Sequence, residues 1–250
     1  MKRLLLASLG AVLLLVPSGA SATSIAVPVA PSGGRYLVGF DIESVEEKID
    51  PETFRSTRYL GRISLFEWDP LAVTFRIGGS EIDVDSDVHG RPTTFEGRPK
   101  LALGAGAGYH LPLRMEGLGF FADAELLYTL SAGRTSFTTT IQSNTFHEEY
   151  ENRYRWVEYQ AGAGIRKALP FGGAHAGLLA RAVDGKVWRE TYQGEALVSS
   201  GSSDFSRELT FFLLGGIDFE FPGGFVLSVG GSARGSDDYT VALSIAEFSR

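Results

Sequence analysis

Between Arg35 and Phe248 the chain alternates. Leu209, Phe211, Leu213, Ile217, Phe219 and Phe221 share one parity, and Thr210, Asp218 and Glu220 share the other. Successive side chains of a strand point to opposite faces, so a period of two places one set on each side of a sheet. Ten segments read this way, roughly 35–46, 57–67, 71–85, 99–111, 118–131, 152–167, 174–190, 207–221, 225–235 and 238–248. A chain with this pattern over its length is all-β.

The connections decide which all-β fold. Glu67-Trp68-Asp69-Pro70, Pro112 to Gly117, Leu169 to Gly173 and Pro222-Gly223-Gly224 are short, with Pro and Gly supplying tight-turn angles. The segments 47–56, 86–98, 132–151 and 191–206 are longer and polar and read as loops, while Gly235 to Asp238 is again short. Short and long connections alternate, as in a barrel with short turns on one side of a membrane and long loops on the other. The expected fold is a closed antiparallel up-and-down transmembrane β-barrel of ten strands, with eight as the alternative.

Alternation alone does not say which face is wet. A soluble barrel points its apolar face inward and a membrane barrel points it outward. Phe219, Phe221, Phe225, Phe120, Tyr109 and Trp68 lie near the short turns; Tyr128, Tyr154, Trp156, Trp188, Tyr192, Phe211 and Tyr239 lie toward the long segments. Two such bands match the aromatic girdles of a membrane barrel. In Leu101–Tyr109, glycines 104, 106 and 108 oppose a face that is half alanine, too small to fill a soluble core. Val73, Phe75 and Ile77 differ in parity from Ile82 and Val84, so a bulge is expected at Gly78-Gly79.

Ahead of this array, residues 1–22 read as a signal peptide. Lys2 and Arg3 precede an apolar run from Leu4 to Val16, and Ala20-Ser21-Ala22 fits a cleavage site. Export by the Sec route is expected, then a flexible leader, 23–34, and one barrel domain, 35–250. Removing Lys2 and Arg3 takes the formal net charge from −7 to about −9. Nucleic-acid binding needs a basic face and is not expected. The chain has no cysteine, so rigidity must come from elsewhere. A closed sheet, which leaves no strand edge, supplies it.

With apolar faces outward, the lumen carries Arg58, Arg62, Arg76, Asp123, Glu125, Glu158, Arg166, Asp218, Glu220 and Arg234, together with Arg35, Asp41, Glu43 and Arg181. The signs nearly balance. Paired charges inside a barrel of eight to ten strands would fill it, which predicts a structural charge network rather than an open pore.

The signal, the alternating strands and connections, the glycine-rich Leu101–Tyr109 strand and the closing segment Tyr239–Phe248 resemble the small outer-membrane β-barrel superfamily of Gram-negative bacteria, of the OmpA, OmpX and OmpW type. That resemblance implies residence in the outer membrane. It implies outer-membrane lipid, lipopolysaccharide and the barrel-assembly machinery as partners. An aromatic near the end of the last strand, here Phe248, is the assembly signal of that group. Its parity differs from that of Val241, Leu243 and Ile245, and Ser249 and Arg250 follow it. The resemblance implies no catalytic residue.

The expected role is structural or surface-interacting, with an extracellular partner met through 47–56, 86–98, 132–151 and 191–206. A narrow channel for small or apolar solutes is the alternative. A barrel hydrolase and a soluble ligand-binding barrel rank lower. Asp83 and Asp85 resemble one half of the acidic arrangement of omptin-type proteases, but Asp184 and Asp204 on the other side come without a histidine. His147-Glu148-Glu149 with Glu151 has metal-ligand chemistry at a generic spacing, and a solvated acidic segment explains it better. No cofactor is predicted.

Overall fold

The computed structural model describes residues 36–49, 52–68, 70–88, 91–141, 144–236 and 238–249. The export signal, the leader, Arg35 and His89 lie outside the described residues. Ten strands follow in order: β1 (Tyr36–Ile49), β2 (Glu52–Trp68), β3 (Leu71–Val88), β4 (Arg91–Pro112), β5 (Leu118–Ile141), β6 (Asn144–Leu169), β7 (Gly172–Gln193), β8 (Ala196–Phe221), β9 (Phe225–Gly235) and β10 (Asp238–Ser249). Each pairs antiparallel with its sequence neighbours, and β1 pairs with β10 from Tyr36↔Ser249 to Glu46↔Tyr239, closing the ring. The fold is a ten-stranded up-and-down β-barrel.

Its wall is inside out. Phe40, Ile63, Phe75, Leu103, Leu126, Ile165, Leu178 and Ile245 are exposed on the outside, and Leu213 keeps 71 % of its surface open. Arg58, Glu43, Arg181 and Glu158 are buried inside. Water would make such an exterior costly, at roughly 25 cal/mol per Å² of apolar surface. Hydrocarbon removes that cost, so this is the architecture of a barrel that crosses a membrane. Ala107, Ala124, Ala161 and Ala180 stand in direct register across β4, β5, β6 and β7 on this wall.

The segments 47–56, 86–98, 132–151 and 191–206 are not loops. Their strands run on to Ile49 and from Glu52, to Val88 and from Arg91, to Ile141 and from Asn144, and to Gln193 and from Ala196. These parts are polar because their outer faces are wet, while inward residues such as Ile49, Phe54 and Phe95 are buried, and their polar side chains pair across the ladders. Arg55 donates to Asp85 (2.6 Å), Thr94 to Asp85 (2.7 Å) and Ser86 to Glu52 (2.9 Å). Crossing the hydrocarbon takes about 9–11 tilted residues. β6 and β8 have 26 each, whereas β9 and β10 have 11 and 12. Most of the wall therefore projects far past the membrane, while the β9–β10 hairpin barely clears it.

That inequality opens the sheet. β8 pairs with β9 only from Leu213↔Ala233 to Phe221↔Phe225, yet pairs with β7 as far as Ala196. The ring is closed across the membrane and open between β8 and β1 above it, so the expected absence of any edge holds only for the lower half.

No bulge sits at Gly78-Gly79. The β2–β3 ladder is unbroken from Leu65↔Val73 to Thr53↔Asp85, and Ile82 and Val84 point inward with Ser80 and Arg76. The parity of apolar residues changes because the lumen itself becomes apolar there. Gly78 is needed because a side chain at that position would collide with the backbone of Tyr59 and Leu60. The β3–β4 ladder does shift register, but further along, between Ser80 and Val84. β7, which gives no clear register from sequence, faces His175, Leu179, Arg181, Val183 and Val187 inward.

Candidate functional site

The lumen is the candidate site, and it is filled in layers. Across its middle runs a chain of alternating charge, anchored on eight of the ten strands. Asp238 on β10 meets Arg207 on β8, which holds Glu47 on β1 (2.8 Å). Glu47 faces Arg181 on β7 (4.0 Å), and Arg181 faces Glu158 on β6 (3.3 Å). Glu158 binds Arg58 on β2 (2.6 Å), and Arg58 faces Glu43 on β1 (3.5 Å). Glu43 binds Arg76 on β3 (2.7 Å), whose other contacts are Asp41 (3.1 Å) and Glu125 (3.3 Å). Asp41 faces Arg62 (3.6 Å), which donates to Ser244 on β10 (2.8 Å).

Several of these contacts span the barrel rather than its wall. Arg58 reaches from β2 to β6, and Arg181 and Arg207 reach from β7 and β8 to β1. Charges this deeply buried persist only when paired and hydrogen-bonded. Gln160 donates to Glu158, and Arg181 donates to Thr240 (2.7 Å), adding bonds the pairs need. Glycine makes the space: a Cβ at Gly104 would lie 2.9 Å from Glu125 Oε1 and 3.3 Å from Arg76 Cβ.

Of the ten residues singled out in sequence, Arg58, Arg62, Arg76, Glu125 and Glu158 come together here. Arg166, Asp218 and Glu220 form a separate group at the short-turn end, with Arg166 at 3.5 and 3.7 Å from the two carboxylates. Glu220 is half exposed there. Asp123 stands apart: neither carboxylate oxygen has a hydrogen-bond partner among the described residues. Arg234 is not in the lumen. Its side chain is 57 % exposed at the outer rim, where it meets Asp238 (3.4 Å). Inward parity does not bury a residue where β9 has already reached its turn.

Beyond the charges, toward the long arms, lies an apolar plug. Ile49, Phe54, Ile82, Val84, Phe95, Tyr154, Trp156, Val183 and Val187 form one buried cluster, with Tyr150 and Phe205 against it. The Phe54 ring stacks on Phe205 (5.0 Å) and meets Trp156 (5.4 Å) and Tyr154 (6.1 Å) edge-on. Gly185 sits between Trp156 and Phe205 in register, and a side chain there would collide with the Phe205 ring. Tyr154 and Trp156, expected in the outer aromatic girdle, therefore belong to the interior. Their parity is that of Glu158, not of Val157 and Tyr159, and that was the available signal. A smaller cluster, Phe121, Leu179, Phe212 and Leu214, lies nearer the short turns, with Arg181 over the Phe212 ring at 4.8 Å.

The residues with hydrolase chemistry are otherwise engaged. Asp83 accepts the Gly97 backbone N–H (2.7 Å), and Asp85 holds Arg55 and Thr94. Among the described residues, no three His, Asp or Glu side chains converge in a way that could hold a metal.

On the outer arms a second charge group faces solvent. Arg134 contacts Glu149 and Glu151 (both 3.0 Å), and Arg153 contacts Glu151 (3.2 Å) and Glu190 (3.5 Å). Burial pushes the Glu151 carboxyl up, but hydrogen bonds and charge from Arg153 and Arg134 outweigh it and hold it below the usual range. A carboxylate depressed by folding stabilises above its unfolded pKa and loses that contribution as pH falls through the folded value. Hydrogen-exchange protection of the β5–β6 arm should be steady above roughly pH 5 and decline below roughly pH 4. Glu151→Gln should flatten that decline, and an unchanged profile would remove Glu151 as its source.

No known protein family matches the chain, and no curated protein matches it. Among solved structures it is similar to the translocator domain of the autotransporter NalP from Neisseria meningitidis (11 % identity, 87 % of this chain and 89 % of that chain, TM-score 0.44). It is similar to the outer membrane protease OmpT from Escherichia coli (10 % identity, 85 % and 90 %, TM-score 0.43). It is also similar to the toluene transporter TodX of P. putida (12 % identity, 88 % and 68 %, TM-score 0.42). The class stands on the chain's own ladders: an inside-out, ten-stranded barrel with a filled interior.

Proposed function

We propose that the chain is an outer-membrane β-barrel protein of a Gram-negative cell, with a structural or surface-interaction role and no continuous passage. On this reading residues 1–22 direct Sec export, the apolar wall meets outer-membrane lipid and lipopolysaccharide, and the barrel-assembly machinery inserts it. The observation that carries the reading is the wall-to-wall charge chain from Asp238 to Arg62. Its contacts would have to break before a solute could pass, and the Phe54–Trp156–Phe205 plug lies in series with it. A one-sign lining would instead favour ion passage.

Planar-bilayer recording tests this. The folded protein should show no steady open level of porin size. A stable conductance in the wild-type chain would overturn the filled-lumen reading and favour a channel. What remains for function is the projecting sheet, which sets eight strands' worth of polar surface beyond the membrane.

A further inference from the structure

We infer that the outer edge of β8, from Ala196 to Thr210, is a docking site for an extended strand of another polypeptide. The inference rests on the membrane reading above, which puts this edge outside the cell. One side of this segment is laddered to β7. On the other side β9 and β10 have ended, and the ladder to β9 begins only at Leu213. Near its base Arg207 reaches across to Glu47 and Asp238. Above that point the backbone N–H and C=O groups facing away from β7 have no strand to receive them among the described residues.

An exposed edge is a template for strand addition, and proteins ordinarily blunt one with lysine, proline or a bulge. β8 has two register shifts against β7, one opposite Arg181 and Val183 at the base of the arm and one at Leu197–Ser199 near its tip, and the ladder between them, from Ser199 to Arg207, is unbroken. The edge reads Ala196-Leu-Val-Ser-Ser-Gly-Ser-Ser-Asp-Phe-Ser206, without lysine or proline. Serine and glycine dominate both faces, so little stands in the way of an approaching backbone. A Cβ built at Gly194 or Gly201 meets nothing within 4 Å.

The chemistry that fits such a row is another main chain in ladder spacing, as in strand-addition recognition, where backbone bonds give affinity. With side chains this small on the edge, selection by sequence would be weak. A second copy does not fit. Two copies upright in one membrane are related by an axis along its normal, and with strands tilted by about 35–45° their β8 edges would cross at about 80°.

The test uses the full-length protein folded in lipid nanodiscs and a labelled peptide of Asp184–Gln193, the sequence that already ladders with β8. Saturable binding is expected, with new hydrogen-exchange protection confined to residues 196–210. The same peptide with proline at its Val187 position should not bind. Ser200→Lys with Ser202→Lys, both at exposed positions, should weaken binding at least about tenfold, since lysine is the natural edge blunter. No new protection of β8 at millimolar peptide, protection elsewhere, or dimerisation blocked by the lysine pair would overturn the assignment. Heat-modifiable gel migration is read separately: a chain that never inserts removes the membrane reading itself.

Discussion

Replacing Glu158 with leucine should lower the unfolding free energy of the barrel by roughly 3–5 kcal/mol. Glu158 is fully buried and serves two guanidinium groups, Arg58 at 2.6 Å and Arg181 at 3.3 Å. Removing one partner of a buried pair leaves the other charge without compensation, which costs far more than the pair gains over an apolar substitute. Here two cations are stranded, and Arg181 keeps only the 4.0 Å contact with Glu47 as an ion pair. The measurement is the temperature at which heat-modifiable migration is lost, with denaturant titration for the free energy. Arg58→Leu combined with Glu158→Leu should recover part of the loss, because neither charge is then left alone. A single variant as stable as wild type would mean that the chain of charges does not hold the lumen.

Phe54→Ala should cost about 3–5 kcal/mol by a different route. Phe54 is 1 % exposed and its ring contacts Phe205, Trp156 and Tyr154. Truncation removes those contacts and leaves a void between strands that cannot collapse inward without breaking their ladders. Phe54→Leu should cost less because it keeps most of the volume. Denaturant unfolding separates the two. A negligible loss for the alanine variant would show that the interior is looser than its packing implies. The barrel should remain non-conducting in this variant, since the charge chain lies in series with the plug.

Much of this architecture was legible in the chain. Parity gave the two faces of β1, β2 and β5, and the outward direction followed from glycine and alanine in Leu101–Tyr109. Four things were hidden. Polar composition between 132 and 151 looked like a loop, yet a strand wet on both faces has the same composition. Ile82 and Val84 looked like a register error because lipid was assumed to be the only apolar surroundings. Glu47, Arg207 and Asp238 lay in or at the ends of segments read as connections, and their convergence joins residues 160 and 31 positions apart on three different strands. Arg58 and Glu158 were visible as inward charges, but their meeting across the lumen was not. Parity orders residues along one strand and says nothing about which strand stands opposite.

The same reach across the interior bears on the order of events during assembly of the barrel. Arg62 on β2 donates to Ser244, and Arg181 on β7 donates to Thr240, both on the final strand. Arg207 likewise depends on Asp238, the first residue of that strand. Until β10 is in place, three arginines gathered from β2, β7 and β8 lack part of their coordination. A partly made sheet therefore has little to gain by curling early. Docking of β10 and closure of the ring become one event, and a chain truncated before β10 should remain an open, degradable sheet rather than a smaller barrel.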